Sequence, residues 1–332
     1  MTWHCRTRAQ RSTRALTSAV AILATAVLAG APDSAHAQDR LKLAVGQRGN
    51  WDTSVAELGH RSGIFKKNGL ELQILYTEGG GETLQAVLSR SVDVGVGAGV
   101  MGVLGAFSKG APIRVIGAEA TGASDLFWYV RAQSPIRTLR DTAGKTIAYS
   151  TNGSSTNGVV KAFIDQYGLK ARATATGGAP STLTQVMSGQ IDVGWSAPPF
   201  GLDQLDRKQI RIIATGNDAE VFKGQTVRLL ATHAQTLQAR GPVIARFMDA
   251  YRQTVDWMFT DPAAIQIYAR FANISEPLAK RTKEGFFTKP SLDPDRLVGL
   301  DLIMDDAVRF KYINAPLTRV QLNQMIQIPP RK

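Results

Sequence analysis

Three hydroxyl side chains follow a glycine in the segment Asn152-Gly153-Ser154-Ser155-Thr156, which precedes a predicted helix at about 155–167. Free backbone N–H groups and the helix dipole favour a bound anion at such a position. The segment therefore predicts contact with a sulfonate, a carboxylate or a similar group, held by neutral donors. The structural alternative is N-capping, which Ser and Thr perform in many helices.

Loops at other predicted strand ends supply further candidates for substrate binding. Trp51 either covers a ligand with its flat face or lies in the core, and Glu82 either contacts a ligand or only stabilises a helix start. Glycines in these loops allow a ligand to approach the backbone closely. The remaining candidates are Gln47, Asn50, Asp52, Gly80, Gly81, Ala98, Gly99, Phe127, Gly178, Ser196 and Pro198. We predict no catalytic residue.

One glycine pattern favours a different function. Gly97, Gly99 and Gly102 fit G-x-G-x-x-G after a strand, and Glu119 ends the next strand, where a ribose-binding acid would lie. This would indicate a dinucleotide-dependent oxidoreductase. The match is a weak signal, because it lies in the third strand–helix unit and the helix after it is short. We rank this function below ligand binding and predict no cofactor.

The amino-acid composition limits the other classes of site. Cys5 is the only cysteine, and the two histidines beyond residue 37, His60 and His233, are far apart. The sequence therefore predicts no disulfide, thiolate site or metal site after residue 37. The net charge is +12, but the Lys and Arg residues are scattered and no basic run alternates with aromatic residues. We expect no nucleic-acid partner; the basic surface is either merely solvated or attracts anionic ligands.

The first 37 residues have the three parts of a secretory signal peptide. An uncharged run at Ala15–Gly30 precedes Ala35-His36-Ala37, and at 16 residues it is short for a bilayer span of about 20. No Arg-Arg pair precedes the run, which favours the general secretory route. We predict cleavage after Ala37, a periplasmic mature chain of 295 residues and a net charge of +9. The basic residues before the run are Arg6, Arg8, Arg11 and Arg14.

An internal repeat at an offset of 99 residues divides the chain. When Tyr76–Gly99 is placed over Ala175–Pro198, ten of 24 positions are identical without a gap. Ordinary residue usage would match about one position in fifteen. Each copy predicts strands that alternate with helices, which indicates parallel sheets with helices on both faces. Ligands in such sheets bind beyond the carboxyl ends of the strands, so two facing half-sites are expected.

The rest of the chain predicts two crossings and a helical end. The chain should pass between the lobes near 123–131 and 217–228, and C-terminal helices should return to the first lobe. Apolar residues at a helical period over Pro242–Phe259 predict a long helix. Asp261-Pro262 and Asp293-Pro294 are typical of helix starts.

Three segments resemble one family. Ser62–Ala98, Leu139–Thr156 and Leu183–Leu202 are similar, in order and spacing, to the substrate-binding proteins of nitrate/sulfonate/taurine-type ABC transporters. The resemblance covers nearly all of 40–330. It implies an α/β protein with a type II periplasmic-binding fold, in which two doubly wound lobes are joined by a two-strand hinge. The expected domains are a signal peptide at 1–37, a first lobe at 38–125 plus 226–332, and a second lobe at 126–225.

The resemblance also implies a function. The expected protein is a monomeric receptor that captures a small, anionic ligand between its lobes and delivers it to the membrane permease of an ABC importer. The alternative from another class is a secreted sensor that presents its ligand to a signalling partner. Two groups of enzymes share a similar fold, the sulfinate desulfinases and the thiamine-pyrimidine synthases. Both depend on cysteines that residues 38–332 lack, which favours a binding protein.

Overall fold

The first lobe is built on a five-stranded sheet. The computed structural model describes residues 38–331, and the signal peptide expected at 1–37 lies outside them. The sheet has the order β2-β1-β3-β10-β4, with β1 (Asp39–Gly46), β2 (Leu70–Thr77), β3 (Val94–Gly99), β4 (Ile113–Thr121) and β10 (Thr226–His233). β2 and β3 are parallel to β1, whereas β10 lies antiparallel between β3 and β4. The predicted parallel arrangement is found for β1, β2 and β3, whereas β10 returns from the second lobe and therefore runs in the opposite direction.

The second lobe repeats this topology. Its strands are β5 (Phe127–Arg131), β6 (Thr146–Tyr149), β7 (Arg172–Ala175), β8 (Gly194–Ser196) and β9 (Ile210–Thr215). β6 and β7 pair in parallel, and β5 lies antiparallel between β8 and β9. A parallel bridge from Ile147 to Val193 joins β6 to the segment before β8. The resulting order β7-β6-β8-β5-β9 matches that of the first lobe, strand for strand, so the sequence repeat is also a repeat of topology.

The helices after the repeated strands follow the same correspondence. α3 (Gly80–Leu88) and α6 (Ala179–Met187) begin and end 99 residues apart. α4 (Val100–Ser108), α5 (Ser155–Tyr167) and α7 (Leu202–Asp206) follow β3, β6 and β8. The single helix expected at 53–67 is divided into α1 (Val55–Arg61) and α2 (Ile64–Lys67). Gly63 between them has a φ of +79°, a left-handed conformation that ends a helix readily.

The C-terminal helices return to the first lobe. They are α8 (Ala234–Thr260), α9 (Ala263–Ala272), α10 (Glu276–Phe286), α11 (Leu300–Arg309) and α12 (Arg319–Met325). α8 is kinked at Arg240, because Pro242 disfavours helical geometry in the residues before it. Its apolar face packs on the first lobe, where the Phe247 and Phe65 rings stack with centroids 5.6 Å apart. No helix within 38–331 has the length and apolar character that a membrane span requires.

The prediction of a helix start at Asp293-Pro294 is wrong. A 3₁₀ turn at Lys289–Leu292 precedes these residues, and the next helix begins only at Leu300. The Pro294 carbonyl accepts a hydrogen bond from the Ala118 N–H of β4. The Asp293 side chain accepts from the Asp295 N–H, which makes a local turn. Pairing with the sheet edge therefore holds this segment outside a helix.

Two segments join the two sheets. One is 122–126, between β4 and β5, and the other is 216–225, between β9 and β10. Both lie within or next to the crossings expected from the sequence. Each crossing connects a strand of one sheet directly to a strand of the other.

Candidate functional site

A small cavity lies where loops at the strand ends of the first lobe face the start of α5. Its volume is about 30 Å³, which is room for about two water molecules. Seven of the residues expected from the sequence line it: Gln47, Asn50, Asp52, Gly80, Ser154, Ser155 and Thr156. Nine more complete the lining: Gly46, Thr53, Gly79, Gly97, Asp125, Leu126, Ser150, Trp195 and Arg228.

The start of α5 forms one wall of the cavity. Ser154 is the N-cap residue, and its Oγ accepts from the Asn157 N–H at 3.2 Å. Thr156 Oγ1 accepts from the Ser150 N–H at 2.9 Å and lies 2.9 Å from Ser154 Oγ. Two of the three hydroxyls therefore stabilise the turn itself, as the capping alternative requires.

Ser155 keeps its donors available. Among residues 38–331, neither its hydroxyl nor its backbone N–H has a hydrogen-bond partner, and the Thr156 N–H has no acceptor either. These amides are among the first N–H groups of a 13-residue helix, where the helix dipole favours negative charge. The wall can therefore bind an anionic group mainly through backbone amides and the Ser155 hydroxyl.

Asn50 lies on the opposite wall without a partner. Its side chain is 4% exposed, and its Oδ1 is sealed from solvent with no hydrogen bond. Within the described part of the chain its amide nitrogen donates no hydrogen bond either. An unpaired buried polar group costs about 1–3 kcal/mol, and a ligand that pairs with Asn50 removes that cost. Asn50 thus brings a buried side chain without a partner to the cavity lining.

A buried charged cluster closes the cavity on the side of the two crossings. The Arg228 guanidinium contacts three carboxylates, with Nε 3.0 Å from Glu119 and Nη2 2.9 Å from Asp125 and 3.0 Å from Asp52. Burial raises the pKa of Glu119 well above its ordinary value, and the Asp52 charge raises it further. Burial also raises the pKa of Asp125, to about 6, although Arg228 opposes the shift. Both shifts favour protonated carboxyls in this cluster.

Four glycines of the first lobe contact the loop that precedes α5. A Cβ on Gly102 would lie 2.5 Å from the Gly153 carbonyl oxygen, and one on Gly79 would lie 2.7 Å from Ser150 Oγ. Gly81 and Gly99 are equally close to the backbone of this loop. Two hydrogen bonds also cross here, from Gly81 N–H to Thr151 Oγ1 at 3.0 Å and from Gly178 N–H to Glu78 Oε2 at 2.7 Å. The two walls of the cavity therefore touch, which explains its small volume.

These contacts do not support the interpretation of the glycine pattern as a dinucleotide-binding site. Gly99 and Gly102 pack against the loop before α5, so they do not form an open phosphate cradle. Glu119 is fully buried against Arg228 and cannot reach a ribose. The G-x-G-x-x-G pattern is explained by close packing of backbone on backbone.

Ten expected residues do not line the cavity. Trp51 is fully buried in the core, with its ring 4.9 Å edge-on from Tyr268, and the exposed Glu82 accepts from the Glu78 N–H. The other eight residues make contacts elsewhere in the fold. The remaining eight are Gly81 and Gly99 at the glycine contacts, Ala98 and Phe127 in the sheets, Asn152 bonded to Tyr149, Gly178 bonded to Glu78, Ser196 bonded to Phe200, and Pro198 in the loop after β8.

Sequence reasoning missed Arg228 and Asp125, which are 103 residues apart. Arg228 reads as part of an ordinary strand, and Asp125 as the start of an aromatic stretch. Gly79 and Gly97, by contrast, lie in glycine-rich loops from which the sequence analysis selected only neighbouring residues. Selecting every residue of these loops would have included both glycines. The described residues contain no group of three or more His, Cys, Asp or Glu side chains that is arranged for a metal ion.

Comparison with known proteins identifies relatives of the whole lobed structure. A protein-family model described as NMT1/THI5 like matches residues 57–265. The alkanesulfonate-binding protein SsuA from Xanthomonas axonopodis pv. citri bound to MOPS is similar, with a TM-score of 0.73 and 19% identity over 88% of this chain and 99% of that one. No curated protein sequence matches the chain.

Two further structures are similar to the chain. The periplasmic nitrate-binding protein NrtA from Synechocystis PCC 6803 has a TM-score of 0.67 and 10% identity, over 87% of this chain and 86% of that one. The desulfurization enzyme DSZB has a TM-score of 0.60 and 16% identity, over 88% of this chain and 97% of that one. At these identities the likeness shows the fold, which is the expected type II periplasmic-binding fold with two lobes.

Proposed function

The chain belongs to the NMT1/THI5-like family, and on that premise we propose that it is the periplasmic solute-binding receptor of an ABC importer. The proposed ligand is a small organic anion, such as a sulfonate, a carboxylate or an aromatic acid. The observation that carries the proposal is the set of free donors at the start of α5, the Ser155 and Thr156 amides and the Ser155 hydroxyl, which line the same cavity as the unpaired, buried Asn50 side chain. Binding without chemistry is favoured because Cys5 is the only cysteine and lies before the expected cleavage site.

Ligand entry requires the lobes to move apart. The cavity of about 30 Å³ is too small for an organic acid, and the loops around it are in contact. We place the hinge at 122–126 and 216–225, with a first lobe at 38–125 plus 226–332 and a second lobe at 126–225. A ligand that touches both walls favours the closed form by its differential affinity for the two states. The closed, loaded monomer would then deliver its ligand to a membrane permease.

A ligand screen of the mature chain, residues 38–332, tests the proposal. Thermal unfolding would be followed with sulfonates, carboxylates, nitrate and aromatic acids, each against chloride at equal ionic strength. A ligand at 100 times its Kd should raise the free energy of unfolding by about 2.7 kcal/mol. If no acid in the panel stabilises the protein beyond chloride, the proposed function is contradicted.

Export is tested separately. We expect protein recovered from the periplasm to begin at Gln38, because the basic, apolar and Ala-x-Ala regions occur in order. N-terminal sequencing of that fraction provides the measurement. Recovery of a chain that begins at Met1 would contradict export by this signal.

A further inference from the structure

Four charged side chains form a buried cluster to which ligand binding at α5 assigns no role. The Arg228 guanidinium contacts Asp52, Glu119 and Asp125, and each of the four side chains is at most 7% exposed. Asp52 and Asp125 contact the same nitrogen, Nη2, at 3.0 Å and 2.9 Å. If every group were ionised, the cluster would hold three negative charges against one positive charge. Buried charge without a counter-ion is costly, so a cluster of this kind retains protons.

Glu119 and Asp52 form a carboxyl pair within the cluster. Their side chains lie within hydrogen-bonding distance of each other. Among residues 38–331, each has one oxygen that is sealed from solvent without a partner, Oε1 of Glu119 and Oδ1 of Asp52. Two carboxylates repel each other in this position, whereas a carboxyl that keeps its proton donates a hydrogen bond to its neighbour. Burial, too, raises the pKa of Glu119 well above its ordinary value, so this pair retains one proton where an ordinary Glu has lost it.

Two phenols pack against the carboxyl pair. Tyr251 of α8 and Tyr268 of α9 both face Asp52, and Tyr251 also faces Glu119 and Arg228. Burial raises the pKa of each phenol well above its ordinary value, so both stay neutral. The charge of the cluster therefore changes only through its own carboxyls.

Asp125 is the carboxyl of the cluster that lies in a crossing between the lobes. It belongs to the segment 122–126, and it lines the cavity together with Asp52. The closed walls leave about 30 Å³ there, so little water reaches the carboxyl. Burial raises the pKa of Asp125 to about 6, although Arg228 opposes the shift. Separation of the walls would admit water to this side of the cavity and return the pKa towards its ordinary value.

We infer that this cluster is a pH-sensitive switch, in which closure of the lobes takes up a proton at Asp125 and acidification therefore favours the closed form. The switch goes beyond the proposed function, because it needs the hinge but no ligand. A falling pH favours the state that binds more protons, which is the closed form with its raised pKa. If opening restores the ordinary value of 3.8, the ratio of closed to open protein should be about 10-fold higher at pH 5 than at pH 7.5.

Small-angle scattering of the ligand-free mature chain between pH 5 and pH 7.5 tests the inference. We expect the radius of gyration to fall as the pH is lowered through about 6, while circular dichroism shows an unchanged fold. A radius that stays constant or grows on acidification would overturn the switch. Because no ligand is added, this outcome is independent of the ligand screen, and the proposed function could stand without the switch or fail without it.

A substitution at Asp125 identifies the group responsible. Asp125→Asn has a neutral side chain of the same shape, so it should be as compact at pH 7.5 as wild-type protein is at pH 5. Asp305→Asn removes the same charge at an exposed position on α11 and should keep the wild-type pH dependence. Asp125→Ala also lacks the titrating group, and it replaces Asp125→Asn if that variant does not fold. A pH dependence equal to that of wild-type protein in an Asp125 variant would overturn the inference.

Discussion

The two lobes share a topology but present different chemistry to the cavity. Gly81 and Gly99 of the first lobe occupy the same places in the repeat as Pro180 and Pro198 of the second. The first lobe uses its glycines to receive the backbone of the loop before α5, and it adds the buried polar groups Asn50 and Arg228. The second lobe contributes the amides at the start of a helix. The two lobes therefore share a scaffold but differ at their strand ends. The first lobe packs against the loop before α5, and the second lobe carries the proposed anion site.

The largest effect is expected at the proposed anion site of the second lobe. Ser155→Asp should abolish measurable ligand binding, because a carboxylate at the first turn of α5 repels an anion and removes a donor. Ser155→Ala is the control and should cost about 10-fold or less, since the backbone amides remain. Calorimetry with an acid identified by the screen gives both values. Unchanged affinity in Ser155→Asp would show that the anion does not bind at α5.

The next largest effect is expected where four glycines of the first lobe contact the loop before α5. These glycines are Gly79, Gly81, Gly99 and Gly102. Gly102→Ala should weaken binding by about 100-fold, because the new Cβ would lie 2.5 Å from the Gly153 carbonyl and hold the lobes apart. The same change favours the α4 helix by about 1 kcal/mol, so the free protein should remain stable. Small-angle scattering with ligand should show a larger radius of gyration than for wild-type protein.

Gly285→Ala is the matched control for this change. Gly285 also lies inside a helix, α10, and a Cβ there would meet open space. It should gain helix stability without a change in affinity. If Gly102→Ala binds as tightly as Gly285→Ala, contact between the lobes at this surface is not needed for binding.

A pH dependence should follow from the charged cluster of the first lobe. The pKa of Asp125 is raised to about 6 in the folded protein, so its stabilising contribution is complete below its ordinary value and is lost as the pH rises through 6. Asp125→Asn removes this loss, so the variant should gain about 1–3 kcal/mol on wild-type protein between pH 4 and pH 7. Urea unfolding at a series of pH values provides the measurement. Parallel pH profiles for the two proteins would contradict the raised pKa.

The smallest effect is expected at Asn50. Asn50→Leu removes an unpaired buried polar group, so the free energy of unfolding should rise by about 1 kcal/mol. Ligand affinity should fall by about 10-fold, because the side chain would no longer pair with the ligand. Thermal unfolding and calorimetry on the same samples separate the two effects. A loss of stability together with unchanged affinity would assign Asn50 a structural role.

Much of the fold follows from the sequence because its signals are local. The 99-residue repeat predicts paired units whose helices α3 and α6 begin 99 residues apart. The helix predicted at about 155–167 is α5 itself, since Ser154 caps it and Gly168 takes a left-handed conformation at its end. Residues of the cavity that lie at strand ends, such as Gln47 and Ser155, were predictable for the same reason.

Only the tertiary structure decided which loops meet and how the charges pair. β10 runs antiparallel because the chain crosses back from the second lobe, and this direction places Arg228 against Glu119 and Asp125, more than 100 residues away in sequence. The sequence left open whether Trp51 and Glu82 contact a ligand. In the folded chain, Trp51 is buried in the core and Glu82 bonds to the backbone at the start of α3. Periodicity and turn residues act over a few positions, whereas the burial of a charge depends on every element packed around it. The sequence by itself therefore determined the elements and their order, and the folded chain determined the walls of the cavity.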